Sequence, residues 1–243
     1  MMLDVNHVYK TFHPGTINER RALAGVDLHL EEGDFVTVIG GNGAGKSTLL
    51  NAVAGVWPVD GGSIVIDGND ITGLPDYKRA PFIGRVFQDP MMGTAPDMQL
   101  EENLALAYRR GKKLGLRWHI NREERDMYRE RLRELNLGLE DRLTTKVGLL
   151  SGGQRQALTL LMATINPPKL LLLDEHTAAL DPGTAEKVLE LTKQIVAENH
   201  LTCLMITHNM ASALELGNRT IMMDRGHIIH DAAGEKRDGL TVE

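Results

Sequence analysis

The stretch GGNGAGKST, residues 40–48, has the residue types and spacing of a phosphate-binding loop. It matches G-x-x-x-x-G-K-[ST], with Gly40, Gly45, Lys46 and Ser47 at the defining positions. In such a loop the glycines let the backbone curl around phosphates, the lysine reaches the β- and γ-phosphate oxygens, and the hydroxyl binds Mg²⁺. The apolar segment FVTVI precedes it and a helical pattern, TLLNAVAG, follows. A bare glycine-rich turn is the alternative, but the strand–loop–helix context favours a phosphate site.

Two acidic residues follow the apolar run LLLL at 170–173. This arrangement predicts a buried strand that ends in Asp174 and Glu175, and ligands of open α/β sheets bind at that end of the strands. Asp174 would hold Mg²⁺ through water, and Glu175 would act as the general base that polarises an attacking water. The alternative is a strand that ends in two solvated acids.

A second glycine turn, LSGGQRQ at 150–156, precedes an apolar helical pattern. Backbone amides at a helix N-terminus favour an anion, so this turn could also bind phosphate. Its simpler interpretation is a helix capped by Ser151. Both interpretations can hold together, but a second phosphate turn in one chain calls for an explanation.

Short apolar runs alternate with helical patterns along the chain, which predicts an α/β fold with a parallel sheet. The first two predicted strands and the last are candidates for an antiparallel flank, and 91–156 carries no strong strand signal. We therefore expect a P-loop ATPase core at 1–90 and 157–243, with a helical subdomain inserted at 91–156. The predicted strands are 22–30, 35–39, 63–66, 83–87, 170–173, 202–206 and 219–223. The predicted helices are 46–54, 101–109, 122–135, 153–165, 184–197 and 209–216.

The composition excludes several classes of protein. The chain has 243 residues, 42% of them hydrophobic, and a net charge of −6, so its charge gives no indication of nucleic-acid binding. A single cysteine, Cys203, excludes an internal disulfide and fits a reducing compartment. The first residues, MMLDVNHVYK, lack the apolar segment of a secretory signal, so none is expected, and no run approaches the roughly 18 apolar residues of a membrane helix. The polar tail, 232–243, is expected to be poorly fixed.

Other P-loop classes fit less well. A GTPase would contain an N-K-x-D segment, which this sequence lacks, and a small-molecule kinase has no use for LSGGQ. Taken together and in this order, GGNGAGKST, VFQ, LSGGQRQ, LLLLDE, ALD and ITHN resemble the nucleotide-binding domain of an ABC transporter. The resemblance covers residues from about 3 to about 231, and LSGGQ is specific to this superfamily.

The resemblance explains the second glycine turn. It implies a head-to-tail dimer with two ATP molecules in its interface, formed with a second copy or with a paralogous ATPase subunit. The LSGGQ turn of one subunit would then cover the γ-phosphate bound by the other. The residues implied to act across the dimer are Ser151, Gly152, Gly153, Gln154 and Asp181.

Further roles carry over one residue at a time. Gln88 resembles the glutamine that contacts Mg²⁺ and the attacking water, and His208 the histidine that touches the γ-phosphate. Phe12 resembles the aromatic residue that stacks on adenine, and Tyr9 is the alternative candidate for this contact. Asp181 also has the sequence context of a helix N-cap, because a proline follows it. The implied catalytic residues are Lys46, Gln88, Glu175 and His208, and the implied Mg²⁺ ligands are Ser47, Gln88 and Asp174. The implied ATP-binding residues are Phe12, Gly40, Gly41, Asn42, Gly43, Ala44, Gly45, Lys46, Ser47 and Thr48.

Three positions depart from the family pattern. His176 stands where proline often follows the catalytic glutamate, and Gly41 stands where proline or serine is frequent. Ala178–Ala179 lacks the serine usual at the start of the D-loop. None of these changes removes a group that carries chemistry.

The resemblance also implies partners. A single nucleotide domain without membrane spans resembles prokaryotic importers, in which integral membrane permease subunits are separate chains and a solute-binding protein is engaged indirectly. The expected location is the cytoplasmic face of the cell membrane, and the closest resemblance is to amino-acid importers, with aromatic amino acids as candidate cargo. The alternative is an ABC-type ATPase with a non-transport task such as iron–sulfur assembly.

A basic stretch, YRRGKKLGLR, lies in the expected helical subdomain. One interpretation is a solvated charged loop. The other is a basic patch that faces anionic lipid headgroups or an acidic loop of a partner protein. Its cations are Arg109, Arg110, Lys112, Lys113 and Arg117.

Overall fold

The computed structural model describes residues 1–112, 120–234 and 237. The chain divides into two compact units. The first contains Met1–Ile83, Lys169–Glu175 and His200–Glu243, and the second contains Gly84–Pro168 and His176–Asn199. These bounds differ from the predicted ones, because the second unit also takes in the helices that follow LSGGQ and Glu175. The division into functional domains at 91 and 156 stays a prediction.

One sheet of the first unit is antiparallel, with the strand order β2-β1-β4-β5. Its first strand was not predicted from the sequence. A register shift between Val5 and Val8 breaks the alternation of buried and exposed residues along β1, and the positive φ of His7, 46°, lies within that shift. The strands are β1 (Leu3–Phe12), β2 (Arg20–Leu30), β4 (Gly61–Ile66) and β5 (Asn69–Asp70).

The other sheet has the order β10-β9-β3-β8-β7-β6. Parallel pairing joins β3 to β8 and β9, and β8 to β7, so the carboxyl ends of these strands lie at one edge. The assignment of 35–39 and 219–223 to an antiparallel flank was wrong: both are in this parallel set, and only β10 pairs antiparallel with β9. The strands are β3 (Phe35–Ile39), β6 (Ile83–Val86), β7 (Leu170–Asp174), β8 (Thr202–Ile206), β9 (Arg219–Asp224) and β10 (His227–Ala233).

The helices in the described part of the first unit are α1 (Lys46–Ala54), α2 (Asp76–Arg79) and α7 (Met210–Glu215). The end of α1 is held by the buried guanidinium of Arg79, which donates to the carbonyls of Ala52 and Val53 at 2.8 and 2.9 Å. These are carbonyls that the last turn of a helix leaves without intrahelical partners. Arg79 also donates to the carbonyls of Leu74 and Thr72, so it joins the end of α1 to the segment before α2.

Where it is described, the second unit consists mainly of α-helices, which agree with the predicted ones to within about two residues. Buried side chains from α3, α4 and α5 form one apolar cluster that includes Leu104, Leu132 and Leu158. The helices are α3 (Leu100–Tyr108), α4 (Arg122–Glu134), α5 (Gly152–Thr164) and α6 (Pro182–Glu198), with a 3₁₀ turn at Val147–Leu149.

Helices α3 and α5 cap each other's C-terminal ends. Arg110, just past α3, donates to the carbonyls of Ala163 and Asn166, and Asn166, just past α5, donates to the carbonyls of Ala107 and Tyr108. Each helix end thereby receives the donors that its own last turn lacks.

The basic stretch is in part structural. Arg109 pairs with both oxygens of Glu124 at 2.9 and 3.0 Å, and Arg110 makes the capping contacts above. Lys112 lies over the ring of Tyr108. These contacts disfavour a surface role for Arg109 and Arg110, while Lys113 and Arg117 lie outside the described residues.

Part of the polar tail is firmly placed, and the expectation of a poorly fixed tail was wrong for Ala232 and Ala233, which end β10 and pair with β9. Arg237 donates to the carbonyls of Ala213, Leu214 and Leu216 at the end of α7. Of the rest of the tail, 235–236 and 238–243 lie outside the described residues. No helix in the described part of the chain is long and apolar enough to cross a bilayer.

Candidate nucleotide-binding site

The phosphate loop connects β3 to α1 at the carboxyl edge of the parallel sheet. Two of its glycines have no room for a side chain. A Cβ on Gly40, with φ of 143°, would lie 2.2 Å from the carbonyl oxygen of Met223, and one on Gly45, with φ of 107°, would lie 2.5 Å from that of Ala22. The loop is therefore pressed against β9 and β2, and its curled path requires glycine at both positions.

Lys46 begins α1, and only 5% of it is exposed. Its ammonium donates to the carbonyls of Gly40 and Gly41 at 2.7 and 3.0 Å, so it is folded back over the loop. Burial lowers the pKa of Lys46, while the charges of Glu175 and Asp174 act in the opposite direction. A phosphate group placed in the loop would therefore meet a cation that lacks a full solvent shell.

Glu175 follows the end of β7, where Asp174 is the last strand residue. Its backbone lies in the left-handed region with φ of 46°, and its amide donates to the carbonyl of Ile206 at 3.1 Å. The side chain of Glu175 is 14% exposed and contacts Nε2 of His208 at 2.7 Å. The predicted general base and the predicted γ-phosphate contact are thus direct neighbours.

These groups share one cavity of about 250 Å³. Every lining residue but one is among the residues predicted from the sequence, while the predicted loop residues Gly40 and Gly41 do not line the cavity. The residue that the prediction missed is Arg20, whose Nη2 donates to the carbonyl of Gly43 at 3.1 Å. The residues that line the cavity are Arg20, Asn42, Gly43, Ala44, Gly45, Lys46, Ser47, Thr48, Glu175 and His208.

Phe12, the predicted adenine contact, is not among the lining residues. Its ring packs edge-on against Trp57, with centroids 4.8 Å apart and an interplanar angle of 82°. Its rival Tyr9 packs against Gly25, where an added Cβ would lie 2.8 Å from the tyrosine hydroxyl. Phe12 lies at the end of β1, directly across from Arg20 in the ladder, which places it next to the cavity wall. Its role as adenine contact stays a prediction.

The remaining predicted residues belong to the second unit. Ser151 caps α5: its hydroxyl accepts from the amide of Gln154 at 3.2 Å, and the Gln154 side chain accepts from the amide of Ser151. Asp181 caps α6 through the amide of Thr184 at 3.1 Å. The helix N-caps predicted for Ser151 and Asp181 are thus confirmed. Gln88 follows β6 and is exposed. The roles of Gln88, of the 151–154 turn and of Asp181 toward the nucleotide stay predictions.

The predicted Mg²⁺ ligands fit a magnesium ion that is held mainly by phosphate. In the described residues no three His, Cys, Asp or Glu side chains are grouped so that they could hold a metal ion by themselves. A hydroxyl from Ser47 and a carboxylate from Asp174 are oxygen donors of the kind that Mg²⁺ prefers, and Mg²⁺ usually keeps waters and phosphate oxygens as its other ligands.

His176 explains one departure from the family pattern. It is buried, its Nε2 lies 3.0 Å from the hydroxyl of Thr192, and that hydroxyl donates to the carbonyl of Val188. The imidazole therefore acts as the donor to Thr192, and its burial lowers its pKa and so favours the neutral form. The buried residues of α6 are Val188, Thr192 and Val196. Leu191 and Ile195 are only half-buried.

Fold and site together define a P-loop nucleotide-binding ATPase. The sequence profile described as ABC transporter matches residues 23–178. The chain is 44% identical to the tyrosine transport ATP-binding protein of Clostridioides difficile, over 100% of this chain and 96% of that one. It is 35% identical to the xylose/arabinose import ATP-binding protein XylG of Sulfolobus acidocaldarius, over 100% and 91%.

Solved structures agree with this assignment. The dimeric post-hydrolysis structure of the ATP-binding cassette MJ0796 bound to ADP and phosphate matches with a TM-score of 0.81 at 30% identity, covering 96% of this chain and 98% of that one. The chain therefore belongs to the ABC transporter family as one of its ATP-binding cassettes, the ATP-hydrolysing subunits. The family and the P-loop fold predicted from the sequence are confirmed.

The burial of His176 predicts a pH dependence of stability. Burial lowers the pKa of His176 to about 4, whereas a histidine in an unfolded chain titrates near ~6.5. Between these values the unfolded chain binds the extra proton, so the free energy of unfolding falls as the pH falls from 6.5 toward 4. We expect this residue to contribute a loss of roughly 1–3 kcal/mol between pH 7 and pH 4.5.

Urea unfolding at both pH values measures this decrease in the free energy of unfolding. In His176→Gln the decrease should be smaller by the contribution assigned to His176. Replacement of the exposed His227 by Gln is the matched control and should leave the loss as in the wild type. An equal loss in wild type and His176→Gln would contradict the assignment of a buried neutral imidazole.

Proposed function

We propose that this chain hydrolyses ATP in a head-to-tail dimer and thereby drives solute import through separate integral membrane permease subunits. The observation that carries the proposal is the single cavity that joins the phosphate loop, the buried Lys46, Glu175 and His208. The names of the relatives, which are transport and import ATP-binding proteins, support the importer class.

The cavity supplies the groups that phosphoryl transfer needs. Backbone amides of the loop and the N-terminus of α1 receive the phosphates, and the ammonium of Lys46 neutralises charge on the β- and γ-phosphate oxygens. Mg²⁺, held by Ser47, Asp174 and Gln88, would supply further charge neutralisation when bound. Because the reaction has little covalent chemistry for a protein to perform, placement and electrostatics account for most of the rate.

Glu175 and His208 have complementary roles in this scheme. The carboxylate of Glu175 orients the attacking water and receives its proton. His208, which is 47% exposed at its side chain, leaves its contact with Glu175 to donate to the γ-phosphate. Their contact at 2.7 Å keeps both side chains at the edge of the cavity where the γ-phosphate would lie.

The dimer completes each site in this proposal. The 151–154 turn of one subunit would donate backbone amides to the γ-phosphate held by the other, and Asp181 would contact the partner across the interface. The solved neighbour is dimeric and holds ADP and phosphate, which supports this arrangement. The partner is a second copy or a paralogous ATPase subunit.

The transport partners follow from the same class. We propose that 91–156 forms a helical subdomain that meets the permease at the cytoplasmic face of the membrane. Gln88 would relay the nucleotide state to it. A solute-binding protein would act indirectly, with an amino acid as the cargo class, since a 44% identical relative is named for tyrosine transport.

The first test concerns hydrolysis. Glu175→Gln removes the general base but keeps the size of the side chain, so we expect turnover to fall at least about 100-fold while ATP binding changes less than about twofold. Steady-state phosphate release and equilibrium ATP binding measure the two effects. Glu190→Gln, an exposed position on α6, is the control and should retain activity. Near-normal turnover in Glu175→Gln would refute the base assignment.

The second test concerns transport. We expect the tagged chain, isolated from detergent-solubilised membranes of its native cells, to bring a polytopic membrane protein that mass spectrometry identifies. The same isolation from the soluble fraction is the control. Repeated recovery of soluble partners alone would exclude the importer and favour a non-transport ATPase, with the site assignments unchanged.

The third test asks whether the sites are shared across the dimer. Ser151→Asp keeps an N-capping side chain on α5 but adds a negative charge that would repel the γ-phosphate. We expect this variant alone, and Lys46→Ala alone, to be inactive. Mixed dimers of the two variants contain one site with an intact phosphate loop and an intact 151–154 turn, so activity should return to a measurable fraction of the wild-type rate. A mixture that stays inactive would contradict sharing.

A further inference from the structure

Arg20 is the one cation of the cavity lining that neither the phosphate motif nor the resemblance assigned. It opens β2, its side chain is exposed, and its Nη2 donates to the carbonyl of Gly43 at 3.1 Å. A Cβ on Gly43 would lie 2.9 Å from the same Nη2, so the guanidinium lies directly against the middle of the loop. The contact with Gly43 uses one of the five N–H donors of the guanidinium.

The strand register fixes where along a nucleotide Arg20 would lie. Phe12 is paired with Arg20 across the β1–β2 ladder, and directly opposed residues of an antiparallel pair share one face of the sheet. Arg20 therefore stands between the phosphate loop on one side and the predicted adenine contact on the other. A nucleotide that joins these two places has its α- and β-phosphates and ribose there.

We propose that Arg20 is a nucleotide-binding residue whose guanidinium contacts the phosphate chain of ATP and of ADP at the end nearer the base. This inference rests on the proposed ATP-binding function. A guanidinium is always charged and presents several N–H groups in a plane, which suits phosphate oxygens. Its contact with Gly43 orients it before the nucleotide arrives, which reduces the conformational freedom that is lost on binding.

Arg20 differs in position from Lys46, which begins α1 and reaches the carbonyls at the start of the loop. It also differs from His208, which contacts Glu175 where the γ-phosphate would lie. Loss of Arg20 should therefore affect ATP and ADP to a similar extent. A purely structural role, in which Arg20 only holds the carbonyl of Gly43, would not depend on its charge.

The test uses the full chain with Mg²⁺ and compares Arg20→Gln, Arg20→Lys and Arg21→Gln. Gln keeps an N–H donor for Gly43 without the charge, and Lys keeps the charge. Arg21 is the matched control, because it is exposed and neighbours Arg20 but points to the opposite face of β2. Equilibrium binding of ATP and of ADP is measured at low and at high salt, beside the melting temperature of the nucleotide-free protein.

For Arg20→Gln we expect Kd to rise about tenfold for both nucleotides, with a weaker dependence of Kd on salt than in the wild type. The Kd values should rise less in Arg20→Lys, and those of Arg21→Gln should stay within about twofold of the wild-type values. The melting temperatures without nucleotide should agree among the three variants.

Equal affinities in Arg20→Gln and Arg21→Gln would overturn the assignment, while ATP binding by the wild type would leave the proposed function intact. A loss for ATP but not for ADP, or a loss with an unchanged salt dependence, would also overturn it. A wild-type chain that binds ATP no better than Lys46→Ala would instead refute the proposed function itself.

Discussion

The structure of the first unit depends on how closely two strands approach the phosphate loop. The carbonyl oxygens of Met223 and Ala22 stand where the Cβ atoms of residues 40 and 45 would be, so β9 and β2 press the loop into its curl. A loop shaped in this way needs no ligand to define it, and its amides can meet phosphate without a large loss of conformational freedom. Strands from both sheets, together with α1, therefore fix the backbone conformation of the nine residues of the phosphate loop, 40–48.

The charged side chains around the phosphate loop act on one another as well as on a bound nucleotide. Burial disfavours the charge on Lys46, while the carboxylates of Asp174 and Glu175 favour it. ATP bound in the loop would shift that balance, because its phosphates would bring negative charge close to Lys46. The contact between Glu175 and His208 lies in the same cavity, so phosphates bound there would also change the electrostatic surroundings of these two side chains.

The sequence predicted the parts of this site that are local. The phosphate loop, the strand that ends in Asp174 and the capping residues Ser151 and Asp181 are each contained in a few consecutive residues. Strands β1 and β10 were not predictable in this way, because the register shift in β1 breaks its pattern and β10 is mostly exposed. Arg20 is brought to the cavity by the pairing of β2 with β1, and Thr192 is a buried polar residue whose hydroxyl contacts the distant His176. Non-local pairing of this kind leaves no periodic signal in the sequence.

The reciprocal capping of α3 and α5 has a mechanical consequence for the second unit. Helix α5 has 13 residues and so spans about 20 Å, with the LSGGQ turn at its first end and Asn166 just past its last. Because Asn166 and Arg110 bind the end of each helix to the other, α5 cannot slide along its axis without carrying the end of α3 with it. Motion of the glycine turn along the axis of α5 would therefore be passed to the end of α3 as well as to the end of α5.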